Sequence, residues 1–141
     1  MTADAAVEVK GKAHPYVSRG GLKLAKAIEL FAIDCAGKTG LDVGASTGGF
    51  TQVLLERGAA SIVAIDVGHG QMADRIRSDP RVTCIEGLNA RDLTSDHLGG
   101  NAPDLIVCDV SFISLKLALP PALSFADIGA RGVFLVKPQF E

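Results

Sequence analysis

The sequence predicts an α/β domain of the doubly wound, Rossmann-like kind, with helices packed on a mostly parallel sheet. Three observations carry that expectation. Five short apolar runs of strand length alternate with segments of helical period. A glycine-rich turn lies inside Leu41 to Phe50 (LDVGASTGGF), directly after the first of those runs. Several of the runs close on a charged residue, which places polar chemistry along one rim of the sheet. With 141 residues, 48% of them hydrophobic, the chain is expected to form one compact domain over residues 16–141, with 1–15 as a linker or frayed tail.

Met1 to His14 is Ala-rich, charged and without periodicity. Ser18 can cap a helix in which Leu24, Ala27, Ile28 and Phe31 recur at i, i+3, i+4, i+7 as a core-facing stripe. At ~100° per residue, Lys23 falls at the border of that stripe and Lys26 nearly opposite it. Lys23 can therefore either reach a site or snorkel at the edge of a core helix, and the spacing allows both. Gly40 to Val43 is a buried strand, and the helix after the glycine turn starts near Gly48 or Gly49 and stops at Gly58. Ser61 to Asp66 is the second strand; Val67 to Gly70 is a loop, and Gln71 to Arg77 a two-turn helix ended by Asp79-Pro80. Arg81 to Glu86 is the third strand, Arg91 to Leu98 a short helix, and Gly99 to Pro103 a loop. Leu105 to Cys108 is the fourth strand, delivering Asp109 at its end. A helix from Ser111 or Phe112 to Pro120 follows, and Val133 to Val136 is a fifth strand that delivers Lys137 before Pro138.

Strand, tight glycine turn and helix start together make a nucleotide-type cradle, with backbone N–H groups at the helix start facing the ligand. From Gly44 the spacing runs G-x-x-x-G-G, where a dinucleotide fingerprint requires G-x-G-x-x-G. Asp42, two residues before Gly44, is unfavourable beside a pyrophosphate and favourable beside a cation. Both features point to S-adenosylmethionine, whose sulfonium and amino groups are positive. The candidate cofactor residues in the turn are Asp42, Gly44, Ala45, Ser46, Gly48, Gly49 and Phe50. Asp66 lies 22 residues after Gly44, close to the offset of ~20 at which doubly wound folds place a ribose-binding carboxylate. Val67 stands beside it, and Asn89 and Asp109 follow later strands. Asp66 as a turn residue or cap, and Asn89 as ordinary turn chemistry, are the structural alternatives. Lys137 and Asp109 are expected to face one another on neighbouring strands, as site residues or as a plain salt bridge.

The formal net charge of −2 argues against a domain that binds nucleic acid by bulk charge, although Lys10, Lys12, Arg19, Lys23 and Lys26 make the first 26 residues locally basic. Cys35, Cys84 and Cys108 are far apart and read as small core residues in a reducing compartment. No stretch reaches the ~18 apolar residues of a membrane span, Met1 to Lys12 lacks the apolar run of a signal peptide, and His69 has no ligand partner at metal spacing. The expectation is a cytoplasmic protein with no metal and no membrane partner.

Five motifs in order carry a resemblance: Y-V-S-R-G-G-L-K-L (Tyr16 to Leu24), L-D-V-G-A-S-T-G-G-F (Leu41 to Phe50), D-V-G-H-G-Q (Asp66 to Gln71), D-V-S-F-I-S-L-K (Asp109 to Lys116) and V-K-P-Q-F-E (Val136 to Glu141). They resemble the TlyA or haemolysin A family of FtsJ-like ribose methyltransferases, over nearly everything from Tyr16 onward. The resemblance implies the fold of the class I S-adenosylmethionine-dependent methyltransferases and 2′-O-methylation of cytidine in ribosomal RNA. It also implies a Lys-Asp-Lys-Glu tetrad, of which Lys23, Asp109 and Lys137 match the first three positions; Glu141 does not match the fourth. The family also carries an S4-like RNA-binding domain before this region and further strands after it, so a core fragment without the last strands, able to bind cofactor and impaired in catalysis, is the expectation. Alternative functions are a non-catalytic RNA-binding fragment, a haemolysin-type protein, and an NAD-type oxidoreductase, the last disfavoured by the glycine spacing and Asp42.

Overall fold

The computed structural model describes residues 16, 19–111, 120, 124–126 and 129–137. Five parallel strands form one sheet in the order β3-β2-β1-β4-β5: β1 Thr39–Val43, β2 Ser61–Asp66, β3 Val82–Glu86, β4 Leu105–Ser111 and β5 Arg131–Lys137. The order reverses between β1 and β4, the switch point beyond which doubly wound sheets bind ligands. Three α-helices lie among the described residues: α1 Arg19–Leu30, α2 Gly49–Glu56 and α3 Asp74–Arg77.

Strand parity divides the core into two layers. Ile62, Ala64, Leu105 and Val107 join Leu24, Ala25 and Ile28 of α1, Phe50, Val53 and Leu54 of α2, and Ile76 of α3 in one cluster. Leu41, Val43, Ile65, Ile106 and Cys108 point to the other face, covered by Ala90, Leu93 and Leu98 with Phe125 and Ala126 packed alongside. Side chains alternate along a strand, so every second residue belongs to one layer. Cys35 and Cys108 are buried and Cys84 is half-buried on β3.

Several boundaries differ from the sequence expectation. The apolar stripe of α1 holds for Leu24 and Ile28, but the helix ends at Leu30, and Phe31 lies in the turn beyond it, 64% exposed. The Ala27 carbonyl still receives the Phe31 N–H at 3.0 Å, yet Ala32 takes a left-handed φ of 52°, which turns the chain off the helix axis. The segment before α3 is not helical, leaving a single turn from Asp74. In place of the helix expected over 91–98 there is a 3-10 turn, Ala90–Asp92, followed by further turns; Asn89 caps the 3-10 turn, its Oδ1 accepting the Arg91 N–H at 3.1 Å. β4 continues to Ser111, so Asp109 is two residues inside the strand and Ser111 is not a helix start. Ser18, the rest of the expected 112–120 helix apart from its last residue, and Glu141 lie outside the described residues.

Replacing Leu54, fully buried between α2 and the sheet, by alanine is expected to cost about 2–5 kcal/mol. Phe31→Ser is expected to change stability by less than about 0.5 kcal/mol. Urea unfolding of the two variants checks the contrast, and a large loss at Phe31 would return that ring to the core.

Candidate functional site

The site grows from the carboxyl end of β1. Asp42 and Val43 run into Gly44, whose φ of 78° is open to glycine, and whose N–H donates to the Ile65 carbonyl at 2.9 Å; Ala45 N–H donates to the same oxygen at 3.0 Å. Ser46 takes a left-handed φ of 53° and donates its N–H to Asp66 Oδ2 at 2.7 Å. Gly48, with φ 100°, caps α2 without any side-chain bond and donates to the Ala45 carbonyl at 2.9 Å. Four amides of the turn are therefore spent inside the protein. The N–H groups of the first turn of α2, Gly49 to Thr51, have no acceptor within the helix. This is a poor cradle for a diphosphate, which needs several amides converging on it.

Asp42 is 1% exposed and lies on the helical face of the sheet, where its Oδ2 accepts the Thr51 hydroxyl at 2.7 Å. That bond ties β1 to the first turn of α2. Gly49 and Phe50 are buried in the same turn. Asp66 is half-buried at the end of β2; its two oxygens accept backbone N–H groups from Ser46 at 2.7 Å and Gly68 at 3.3 Å. An ionised carboxylate has about four acceptor positions, so roughly two remain for a diol. Val67 follows it with its apolar side chain 64% exposed, a surface on which a flat ring could lie. Asn89 is half-buried and acts as a cap through its Oδ1, a bond that does not use its amide NH2.

The register places the remaining candidates. Asp42 pairs with Ala64 on one side and Val107 on the other, so Asp66 and Asp109, each two residues further on, stand at the level of Gly44 on either side of it. Asp109 pairs with Leu135, and Lys137 with Ser111. Lys137 therefore sits two residues beyond Asp109 in the register, about 6.6 Å along the strand direction, and is not its direct partner as expected. Lys23 is exposed on α1, two residues beyond Gly21. A Cβ on Gly21 would lie 2.9 Å from the Gly49 carbonyl oxygen, so a bare backbone is what lets α1 approach the start of α2. Among the described residues no group of three His, Cys, Asp or Glu could hold a metal ion, and no helix is long and apolar enough to cross a membrane.

Residues 16–141 match the model of the FtsJ-like methyltransferases. The chain belongs to that family. It is 57% identical over 126 residues to the 16S/23S rRNA (cytidine-2′-O)-methyltransferase TlyA of Mycobacterium tuberculosis, covering 89% of this chain and 47% of the relative. A solved Streptococcus thermophilus structure that carries a hemolysin name superposes with a TM-score of 0.87 at 44% identity, covering 95% of this chain and 49% of that one. A Plasmodium falciparum structure named as a ribosomal RNA methyltransferase shares the fold, with a TM-score of 0.64 at 21% identity over 86% of this chain and 77% of the other. The chain spans about half the length of the curated TlyA relative. The sheet order and these likenesses make the fold the Rossmann-like fold of the class I methyltransferases, as the sequence predicts.

Two residues at the rim escaped the reading of the FtsJ-like sequence. Glu86 closes β3 as Asp66 closes β2, and the parallel between V-T-C-I-E and S-I-V-A-I-D was the available signal. Arg77 of α3 donates to Glu86 Oε2 at 2.5 Å, and Gly70 N–H to the same oxygen at 2.7 Å. The Arg77 hydrogen bond, then the Gly70 amide, hold the Glu86 carboxyl below the usual carboxylate range, while the same pair holds Arg77 above its ordinary value. A carboxyl depressed on folding binds fewer protons in the folded state than in the unfolded one. Its stabilisation is complete above the unfolded value of ~4.3 and disappears as pH falls through the folded value. Glu86→Gln is therefore expected to be less stable than the parent at pH 7, with the difference shrinking below pH ~4. Urea unfolding between pH 3 and pH 7 reads this; a gap that widened in acid would reverse the assignment.

Proposed function

We propose that this chain is the methyl-transferring core of an S-adenosylmethionine-dependent enzyme that methylates a ribose 2′-hydroxyl of ribosomal RNA, with cytidine as the target nucleoside. The observation that supports it most is the rim of β2: a carboxylate with acceptor positions to spare, beside an exposed apolar side chain, above a turn whose amides are largely used internally. That chemistry suits a nucleoside whose charged end is a cation and fits a diphosphate badly. The family membership and the TlyA relative's printed activity agree with it.

In this reading Asp66 accepts the hydroxyls of the cofactor's ribose, Val67 lies against its base and Asn89 meets a base edge. Gly44, Ala45, Ser46, Gly48, Gly49 and Phe50 shape the turn, and Asp42 holds that turn through Thr51 while adding negative charge beneath it. When bound, S-adenosylmethionine supplies a methyl group made electrophilic by its sulfonium. Lys137 would take the proton of the substrate 2′-hydroxyl as the oxygen attacks, because an alcohol is a weak nucleophile until it is oriented and relieved of that proton. A lysine near its reference pKa of ~10.4 is already protonated at neutral pH, so a neighbouring cation or desolvation must free its amine. Lys23 supplies such a cation from α1. Asp109 orients the lysine and opposes that effect by its own charge, so the two lysines together must outweigh it.

Two measurements test the proposal. Isothermal calorimetry of the chain is expected to give binding of S-adenosylhomocysteine and none of NAD, with Asp66→Ala weakening the former by at least about tenfold, the loss of one charge-assisted hydrogen bond. Binding of NAD in its place would restore the oxidoreductase reading. In a full-length relative, the substitution corresponding to Lys137→Ala is expected to abolish methyl transfer while S-adenosylhomocysteine affinity stays within a few-fold. Retained turnover would remove Lys137 from the reaction.

A further inference from the structure

Asp66 and Glu86 are direct register partners at the ends of β2 and β3, on the same face of the sheet. Like charges so placed repel, and the two carboxylates are given different company. Glu86 is met by the Arg77 guanidinium and the Gly70 amide. Asp66 is met by two neutral amides, and among the described residues it has no ion-pair partner. The negative charge at β3 is thus compensated by a cation and the one at β2 is not.

The stretch between these acids is held from both sides. Gly70 is bonded to Glu86 at 2.7 Å, Gly87 N–H reaches the Gly68 carbonyl at 3.2 Å, and Leu88 N–H reaches the Asp66 carbonyl at 3.0 Å. The His69 ring lies against Gly87, where an added Cβ would be 2.8 Å from His69 Cε1, at a φ of 68° that already favours glycine. Residues 67–70 therefore owe their path to Glu86 and Gly87, and that stretch begins with Val67.

Resting on the reading of Asp66 and Val67 as the adenosine-binding rim, we propose that Glu86 is a positioning residue for the adenosyl group: it sets the 67–70 loop through Gly70 and engages Arg77, without touching the ligand. Glutamine at this position keeps an oxygen for the Gly70 amide, whereas alanine keeps none. Removing the acceptor leaves Val67 and the Asp66 backbone less fixed, and the ligand must then supply the ordering itself.

The test is calorimetry with two probes, S-adenosylhomocysteine and 5′-methylthioadenosine, which share the adenosine half. Glu86→Ala is expected to weaken both by the same factor of about ten, and Glu86→Gln to stay within about threefold of the parent. Gly87→Ala, which displaces His69 on the other side of the loop, is expected to weaken both probes by at least about fivefold, and it serves if the alanine variant at Glu86 does not fold. Parental affinity in Glu86→Ala or in Gly87→Ala, a glutamine variant as weak as the alanine one, or a loss confined to S-adenosylhomocysteine would overturn the inference while leaving the cofactor reading intact. A parent chain that binds neither probe would overturn the cofactor reading, and this inference with it.

Discussion

The in-register parallel pairing of the five strands is the constraint on which the rim depends. Pairing Asp42 with Ala64 and Val107 sets Asp66 and Asp109 at the level of Gly44 on the two flanking strands, and alternation along β2 keeps Asp66 on the face of Asp42. The same parity carries Glu86 to that face through β3. A slip of one residue in any pair would send one of these groups into the opposite layer, among Leu41, Ile65 and Ile106. The apolar residues of both layers therefore set the polar geometry at the strand ends, since neither set can move without the other.

The glycine turn is fastened to this frame at three levels. Its first two amides share one carbonyl of β2, its third uses the side chain of Asp66, and Asp42 beneath it grips Thr51 at the start of α2. A turn so tied approaches a ligand closely while leaving few amides to offer, which is the physical difference between this cradle and one built for a pyrophosphate. Helix α1 completes the arrangement because Gly21 presents no side chain to the Gly49 carbonyl. The same cradle that makes the cofactor reading chemically apt also explains why Ser46 adopts a left-handed conformation: its amide is turned onto Asp66.

Local pattern was enough to read much of this chain. Runs of alternating or continuous apolar residues marked all five strands to within a few residues, and the G-x-x-x-G-G spacing together with Asp42 separated this turn from a dinucleotide fingerprint. Helix ends were less legible, because they are set by competing contacts. Phe31 continues the periodic stripe yet leaves the helix where Ala32 turns left-handed, and the segment that Asn89 caps stops after a single 3-10 turn.

Chain order and residue type thus established the alternating α/β plan, the glycine turn and the acids that follow the strands, since those depend on periods of two and 3.6 residues and on steric limits within a few bonds. The assembled sheet alone decided that Lys137 is offset from Asp109, that Asp42 is sealed under α2 by Thr51, and that Glu86 rather than Asp66 receives Arg77. Each of those outcomes depends on strand register and on side chains meeting across separate elements, where sequence distance carries no information about separation in space.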